Sequence, residues 1–455
     1  MAKANSKKIT IEDALLPADE QPYEVPENWC WIYWGNAGEF IAGSGFKNSY
    51  QGFAGYDIPF YKVGSLKYSD NKGYLFDDSN SISEKMRLEL KATLIPINSV
   101  LFAKIGEAIR LNRRSMNSIP CCIDNNMMAF VPKACDYKYA YYWSKGLELY
   151  EYTNATTVPA IRKSDLEKIP FPLPPLAEQQ RIVEQIESLF SKLDEAMEKA
   201  QEALDSFEER RVAILHKAFE GELTLQWRAE HGVDMSSWRD VPLKDCGRWF
   251  GGGTPTTSKK EYWEGGDIPW ITSKDMKDRI IEDSLMHITM TGVENSSANY
   301  CEEPAVLFVM RSGILRRVFP VCMVKRPFTV NQDLKACVPD GILQEYLYWY
   351  CTGFEKDIRY NCMKSGTTVE SVEAKKLFDY SIRVAGADEQ KEIVNRIEAM
   401  LDKEAAAYEA AEEVIENIEA VKKSILAKAF RGELGTTDAS EESSIKLLKQ
   451  ILEKG

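Results

Sequence analysis

The sequence predicts an α+β protein: two mixed α/β domains, each followed by one long helix, with the two halves of the chain related by internal repetition. Three observations lead there. Glu178-Gln-Gln-Arg-Ile-Val-Glu-Gln-Ile-Glu recurs as Glu389-Gln-Lys-Glu-Ile-Val-Asn-Arg-Ile-Glu, and Ala218-Phe-Glu-Gly-Glu-Leu223 recurs as Ala429-Phe-Arg-Gly-Glu-Leu434, both 211 positions later. Nothing is inserted between the two recurrences, and about twenty of the 46 aligned positions are identical. Within both copies, apolar residues return at alternating intervals of three and four, as on a helix that buries one stripe. The regions ahead of the two helices echo one another more faintly, in a constant order.

In chain order, residues 1–177 make the first mixed domain. Trp29 opens it; Asp57-Ile-Pro-Phe60 precedes a polar, lysine-bearing turn; Val100-Leu-Phe102, Lys104-Ile-Gly106, Val131-Pro132 and Thr156-Thr-Val158 follow. The counterparts in residues 224–387 are Trp238, Asp267-Ile-Pro-Trp270, Val306-Leu-Phe308, Arg311-Ser-Gly313, Val338-Pro339 and Thr367-Thr-Val369, at offsets of 206 to 211. Between the domains lies a helix over 178–223. Pro174 and Pro175 block helix upstream of it. Its seam runs through Ile182, Ile186, Leu189, Leu193, Ala196, Ala200, Ala203, Phe207, Arg210 and Ile214. A second helix over 388–434 carries Ile393, Ile397, Met400, Glu404, Ala407, Ala411, Val414, Ile418, Val421 and Ile425. Nine of the ten positions are apolar in each, and central alanines allow two helix axes to approach closely. Gly221 and Gly432 suit helix ends. In the tail, 435–455, a polar linker Gly435–Ser444 leads to Ile445, Leu447, Leu448, Ile451 and Leu452, the pattern of a short docking helix.

Net charge is −13, which argues against a nucleic-acid binder until it is localised. Residues 178–223 hold 12 acids against 6 bases and residues 388–434 hold 12 against 7, so the helices carry most of the imbalance. The mixed domains are nearly neutral and free to present local basic faces. The first 27 residues carry Lys3, Lys7 and Lys8 and then an acidic stretch, without the apolar core of a targeting segment. No run is long enough to span a bilayer, and a cytoplasmic protein is expected. The ten cysteines show no CxxC spacing and form no metal pattern with His216, His231 and His287, so reduced, mostly buried thiols are expected and no metal.

The chemistry of a catalyst is missing from the sequence. There is no GxxxxGK[ST], no GxGxxG after a strand, and no NPPY or DPPY stretch suited to methylating adenine. The run Gly251-Gly-Gly-Thr-Pro255 lacks the P-loop lysine. Two basic clusters stand out instead, each after a VLF strand and near a glycine: Arg110, Arg113 and Arg114 with Lys104, and Arg311, Arg316 and Arg317. Thr254, Lys259, Lys260 and Lys274 extend the second. Arginine offers a fork for phosphate oxygens or guanine. The aromatic runs Tyr137–Trp143 and Tyr346–Tyr350 fit domain core better than base-stacking platforms.

The duplicated EQQRIVxxI helix ending in AFxGEL, and the block of Gly252-Gly-Thr-Pro255, Tyr262-Trp263 and Asp267–Trp270, resemble the specificity subunit of type I restriction–modification systems. The first domain departs from that pattern, with Ala42-Gly-Ser-Gly45 in place of GGTP. The resemblance implies two target recognition domains, each reading half of a split site on double-stranded DNA. It implies two helices pairing as an antiparallel coiled coil, with a pseudo-twofold relation, that act as a ruler. It implies docking of two methylation subunits and assembly with restriction subunits. S-adenosylmethionine, ATP and Mg then belong to those partners, and this chain is not an enzyme. The competing readings are a coiled-coil scaffold that binds protein, and a nuclease or methyltransferase with unfamiliar motifs.

Overall fold

A computed structural model describes residues 10–154, 158–364 and 369–454. The paired Thr156-Thr157 and Thr367-Thr368 motifs, and Lys3, Lys7 and Lys8, lie outside the described residues. The chain divides into two compact units, one made of Met1–Lys199 with Glu413–Gly455 and the other of Ala200–Glu412.

In the first unit, a four-stranded antiparallel sheet has its centre in strands Val100–Ala103 and Met127–Pro132, flanked by Gly38–Ala42 and Arg114–Met116. A three-stranded sheet centres on Ile58–Tyr61, antiparallel to Ser81–Ile82 and parallel to Cys122–Ile123. Cys30–Tyr33 pairs with Pro170–Leu173. The second unit repeats all three sheets. Ala305–Val309 and Leu334–Pro339 lie inside a four-stranded sheet, between Gly247–Gly251 and Val321–Val324. Ile268–Ile271 lies between His287–Ile288 and Thr329–Val330, and Arg239–Pro242 pairs with Ser381–Val384. The echoing motifs are thus equivalent strands, and the inner ones are buried on both faces. The aromatic runs form helices Tyr137–Lys145 and Gln344–Gly353, whose Tyr139 and Tyr346 are fully buried and donate to Pro172 O and Arg383 O, each at 2.8 Å.

Each core is completed by two helical segments from distant parts of the chain. Ile182 and Ile186 join Leu426, Ala429 and Phe430 in the first core. Ile393 and Ile397 join Leu215, Ala218 and Phe219 in the second. Lys422 Nζ meets Asp194 Oδ1 at 2.7 Å in the first unit; Phe207 packs on Tyr408 with ring centroids 4.7 Å apart in the second. The second helix is continuous over Ala387–Ala429. The first is Leu176–Asp205 and Phe207–Phe219, interrupted at Ser206. There the Ser206 hydroxyl donates to Glu202 O at 2.6 Å, competing with the backbone ladder.

The seam needs correction at four positions of the second helix, Met400, Ala407, Val414 and Val421, all of them exposed. Met400 and Val414 are 37% and 41% exposed, and the inward line passes instead through Leu401, Tyr408 and Ile415. A straight α-helix repeats every 3.6 residues, so a seam counted strictly at 3.5 drifts away from the contact face. Ile418 is buried and Ile425 half-buried, as are Leu189, Leu193 and Phe207, while Ile214 is buried.

Both AFxGEL endings close their helices in one way. Gly221 and Gly432 adopt φ of +84° and +77°. Glu222 N donates to Lys217 O and Glu433 N to Lys428 O, each at 2.9 Å, the six-to-one bond of a Schellman cap. Beyond the second cap, the tail folds onto the first unit's own domain. Arg181 holds Glu441 through two bonds of 2.7 and 2.8 Å, Ser444 N donates to Asn28 O, and Leu448 of helix Ser444–Lys454 is fully buried. The docking partner of the tail is therefore this chain.

Candidate nucleic-acid interface

The Glu-Gln pair that opens each repeated helix is a latch. Glu178 accepts the Trp29 indole N–H at 2.8 Å and the Thr437 hydroxyl at 2.8 Å. Glu389 accepts the Trp238 indole at 2.8 Å and the Thr224 hydroxyl at 2.7 Å. Gln179 and Gln390 accept backbone N–H groups of Asp136 and Leu343 and donate to Pro174 O and Ala385 O. Each helix start is thereby tied to a tryptophan near the start of its domain, Trp29 or Trp238, and to the segment that follows the other helix. Among the described residues, a buried cation is found in the second latch alone: Arg228, 6% exposed, pairs with Glu389 at 2.7 Å. The sequence signal for the latch was the recurrence of Glu-Gln with a tryptophan about 150 residues upstream in both copies.

The candidate DNA contacts divide by burial. Arg114 is a correction. It is 5% exposed, and its guanidinium donates to Asn112 Oδ1 and Leu147 O at 3.0 and 3.2 Å. Burial pushes its pKa down to about 9. Strand Arg114–Met116 lies under helix Tyr137–Lys145, so this side chain braces the domain and does not face a ligand. Arg113 is exposed and Lys104 half-buried. Arg110 pairs with Glu107 at 2.8 Å and lies 3.5 Å over the Tyr150 ring.

In the second unit Arg311, Arg316 and Arg317 are all exposed, and Arg316 pairs with Glu370 at 3.1 Å. Thr254 donates to Gln332 Oε1 at 2.6 Å, Lys259 to the Tyr262 hydroxyl at 2.8 Å, and Lys260 pairs with Glu264 at 3.0 Å. Lys274 is exposed. These residues form two groups: one around the glycine loop and its neighbours, the other at the end of strand Ala305–Val309.

The glycine loop is built for close packing. A Cβ at Gly252 would lie 1.7 Å from Val330 O, and one at Gly253 1.8 Å from Ser297 Oγ. In the first domain a Cβ at Gly43 would lie 1.8 Å from Asp124 O, the same clash with the strand-end carbonyl. Ala42-Gly-Ser-Gly45 therefore keeps the one glycine whose missing side chain the loop requires. Trp270 Nε1 donates to Gly253 O at 3.0 Å, linking this loop to the three-stranded sheet.

A cavity of about 880 Å³ lies between helix Phe207–Phe219 and the second domain. Its Cys322 thiol is pushed up to about 12 by burial, which leaves it inert. All ten cysteines are free and nine are buried. Among the described residues no cluster of three or more His, Cys, Asp or Glu could hold a metal ion, and no helix is long and apolar enough to cross a membrane.

A repeated mixed domain, a repeated latch and a repeated capped helix, with the exposed loops left to differ, define a tandem-duplicated chain with two differing domains on one kind of scaffold. The chain belongs to the type I restriction modification DNA specificity domain family, which matches residues 38–205 and 235–417. Among its relatives is the specificity subunit of the Escherichia coli type I restriction enzyme EcoR124I/EcoR124II, 30% identical over 289 residues, 62% of this chain and 65% of that protein. The chain thus spans just under two thirds of that relative. The MjaIX specificity subunit of Methanocaldococcus jannaschii is 32% identical over 171 residues, 36% of this chain and 37% of that one. The fold is similar to the HsdS subunit from Thermoanaerobacter tengcongensis, with a TM-score of 0.65 and 19% identity over 91% of this chain and 100% of that one.

Proposed function

We propose that this chain is the DNA-reading subunit of a type I restriction–modification complex. Residues 1–177 and 224–387 are its target recognition domains, each reading one half of a split site on double-stranded DNA. The helices over 178–223 and 388–434 pair antiparallel as one coiled-coil rod, with a pseudo-twofold relation, and act as a ruler. At 1.5 Å per residue, the 43 residues of Ala387–Ala429 make a rod of roughly 65 Å. Two methylation subunits dock beside it and restriction subunits complete the assembly. S-adenosylmethionine, ATP and Mg act in those partners; the chain is non-catalytic and works in the cytoplasm.

One observation carries this reading: the whole sheet topology is duplicated on two helix frames of common register and ending while the exposed loops diverge. A single enzyme site does not call for such a plan, but a two-part address does. The names of the relatives, specificity subunits of type I restriction enzymes, support it. A protein-binding scaffold would need neither two copies of the glycine loop nor arginines at matching strand ends. Mapping methylated adenines in a host with and without this chain and its partner genes tests the proposal. The expected result is a new split motif that vanishes when this gene alone is removed; an unchanged methylation map refutes it.

A further inference from the structure

In both units the same two segments converge beside the end of the central strand. One is the short helical turn after that strand, Glu107–Ile109 or Gly313–Arg316; the other follows the aromatic helix, Leu149–Tyr152 or Glu355–Cys362. Each brings an arginine from the first segment together with a tyrosine from the second. In the first unit the Arg110 guanidinium covers Tyr150 at 3.5 Å. In the second, Arg316 and Tyr360 line one open depression of about 570 Å³ with Lys356, Arg359 and Glu370.

Tyr360 is 87% exposed, an unusual place for a large aromatic residue. The helix enforces it: Ile358 and Cys362 are buried and anchor Glu355–Cys362, which turns Tyr360 outward. The acids nearby are already engaged. Glu370 holds Arg316 at 3.1 Å, Glu355 holds Arg359 at 3.1 Å, and Asp357 accepts from the Tyr380 hydroxyl at 2.6 Å. Arg359 also donates to Arg316 O at 2.8 Å, fixing the two arginines in place. The result is an open depression in which Arg316 and Arg359 are held by acids, Lys356 stands beside them, and the aromatic side chain faces outward, which suits a phosphate contact next to an apolar base edge in a groove.

Resting on the reading of this domain as a DNA reader, we infer that Tyr360 is a base-contacting, specificity-determining residue of the second domain, with Lys356 and Arg316 on the neighbouring phosphates. The first domain cannot use Tyr150 in that way while Arg110 covers it, so the two domains read with different chemistry at equivalent places.

The test uses the full chain assembled with its methylation subunits. Duplexes carry the mapped site, or that site scrambled in one half at a time. Tyr360→Ala is expected to weaken binding to the intact site about tenfold or more and to leave binding to the duplex scrambled in the second domain's half unchanged. Tyr360→Phe retains wild-type discrimination, because the ring and not the hydroxyl makes the contact. Lys356→Ala weakens all duplexes alike and lowers the salt slope by about one. Equal binding of Tyr360→Ala and wild type, or equal losses on intact and scrambled duplexes, overturns the inference. A wild-type complex with no preference for the mapped site would instead overturn the reader assignment.

Discussion

Arg210 and Glu404 pair with each other within the second unit, Arg210 Nε donating to Glu404 Oε2 at 2.7 Å. They are the single charged residue in each otherwise apolar seam. Moved by the repeat of 211 positions, the same two places hold Val421 and Leu193. The ion pair at these two seam positions therefore occurs in one half of the repeat only, and it is one feature that distinguishes the two helix frames.

Replacing either partner alone is expected to destabilise the second unit, because it leaves a half-buried charge unpaired. With both side chains part-exposed, about 1–2 kcal/mol is expected, between the surface and buried limits. Arg210→Leu with Glu404→Leu should cost less than the sum of the single changes. A double-mutant cycle in urea decides it, and strict additivity would show that the pair contributes nothing.

Glu389→Gln strikes the second latch. It leaves Arg228 buried without a countercharge, for which a loss of about 3–5 kcal/mol is expected. The matching Glu178→Gln leaves no buried cation and should cost about 1–3 kcal/mol. Melting curves of the two variants check the order; an equal loss would mean that Arg228 finds another partner.

Arg114 and Arg113 are adjacent in sequence and opposite in role. Arg114→Ala should lower the melting temperature, by about 1–3 kcal/mol in stability, through the hydrogen bonds lost to Asn112 and Leu147. Arg113→Ala should leave stability unchanged and, with Arg316→Ala and Arg317→Ala, reduce the salt dependence of DNA binding in the assembled complex. A stable Arg114→Ala protein with a reduced salt slope would reverse these assignments.

The ruler is tested by a heptad inserted after Ala200 and another after Ala411. The rod should lengthen by about 10 Å, or roughly three base pairs of spacer at ~3.4 Å each. The methylated half-sequences should stay the same while the gap between them grows. A fixed gap with retained activity would assign the spacing to the partner subunits.

The helices and the duplication were legible because both are written as periodicity: a seam along each helix and a constant offset along the chain. Residues such as Ile182, Ile186, Ile393 and Ile397 needed only that pattern. What stayed hidden depended on non-local contact. Nothing near Arg114 in sequence says that Asn112 and Leu147 enclose it. The tail's apolar face announced a docking helix, but its seat beside Asn28 is about four hundred residues away. Ala42-Gly-Ser-Gly45 looked like a departure because four letters were compared, where the fold depends on one missing side chain at Gly43. Tyr360 left no pattern at all, since an outward tyrosine and a buried one read alike.

The first unit draws on both ends of the chain, whereas the second is one uninterrupted stretch, Ala200–Glu412. During synthesis this reverses the usual order. The domain translated first must wait for Leu426, Phe430 and Leu448 before its core can close, and it leaves the ribosome with that apolar face uncovered. The later unit reaches completion earlier. Chains released prematurely, between Glu412 and the final helix, would hold a finished second domain beside an unfinished first one, and would be the ones that chaperones and proteases find.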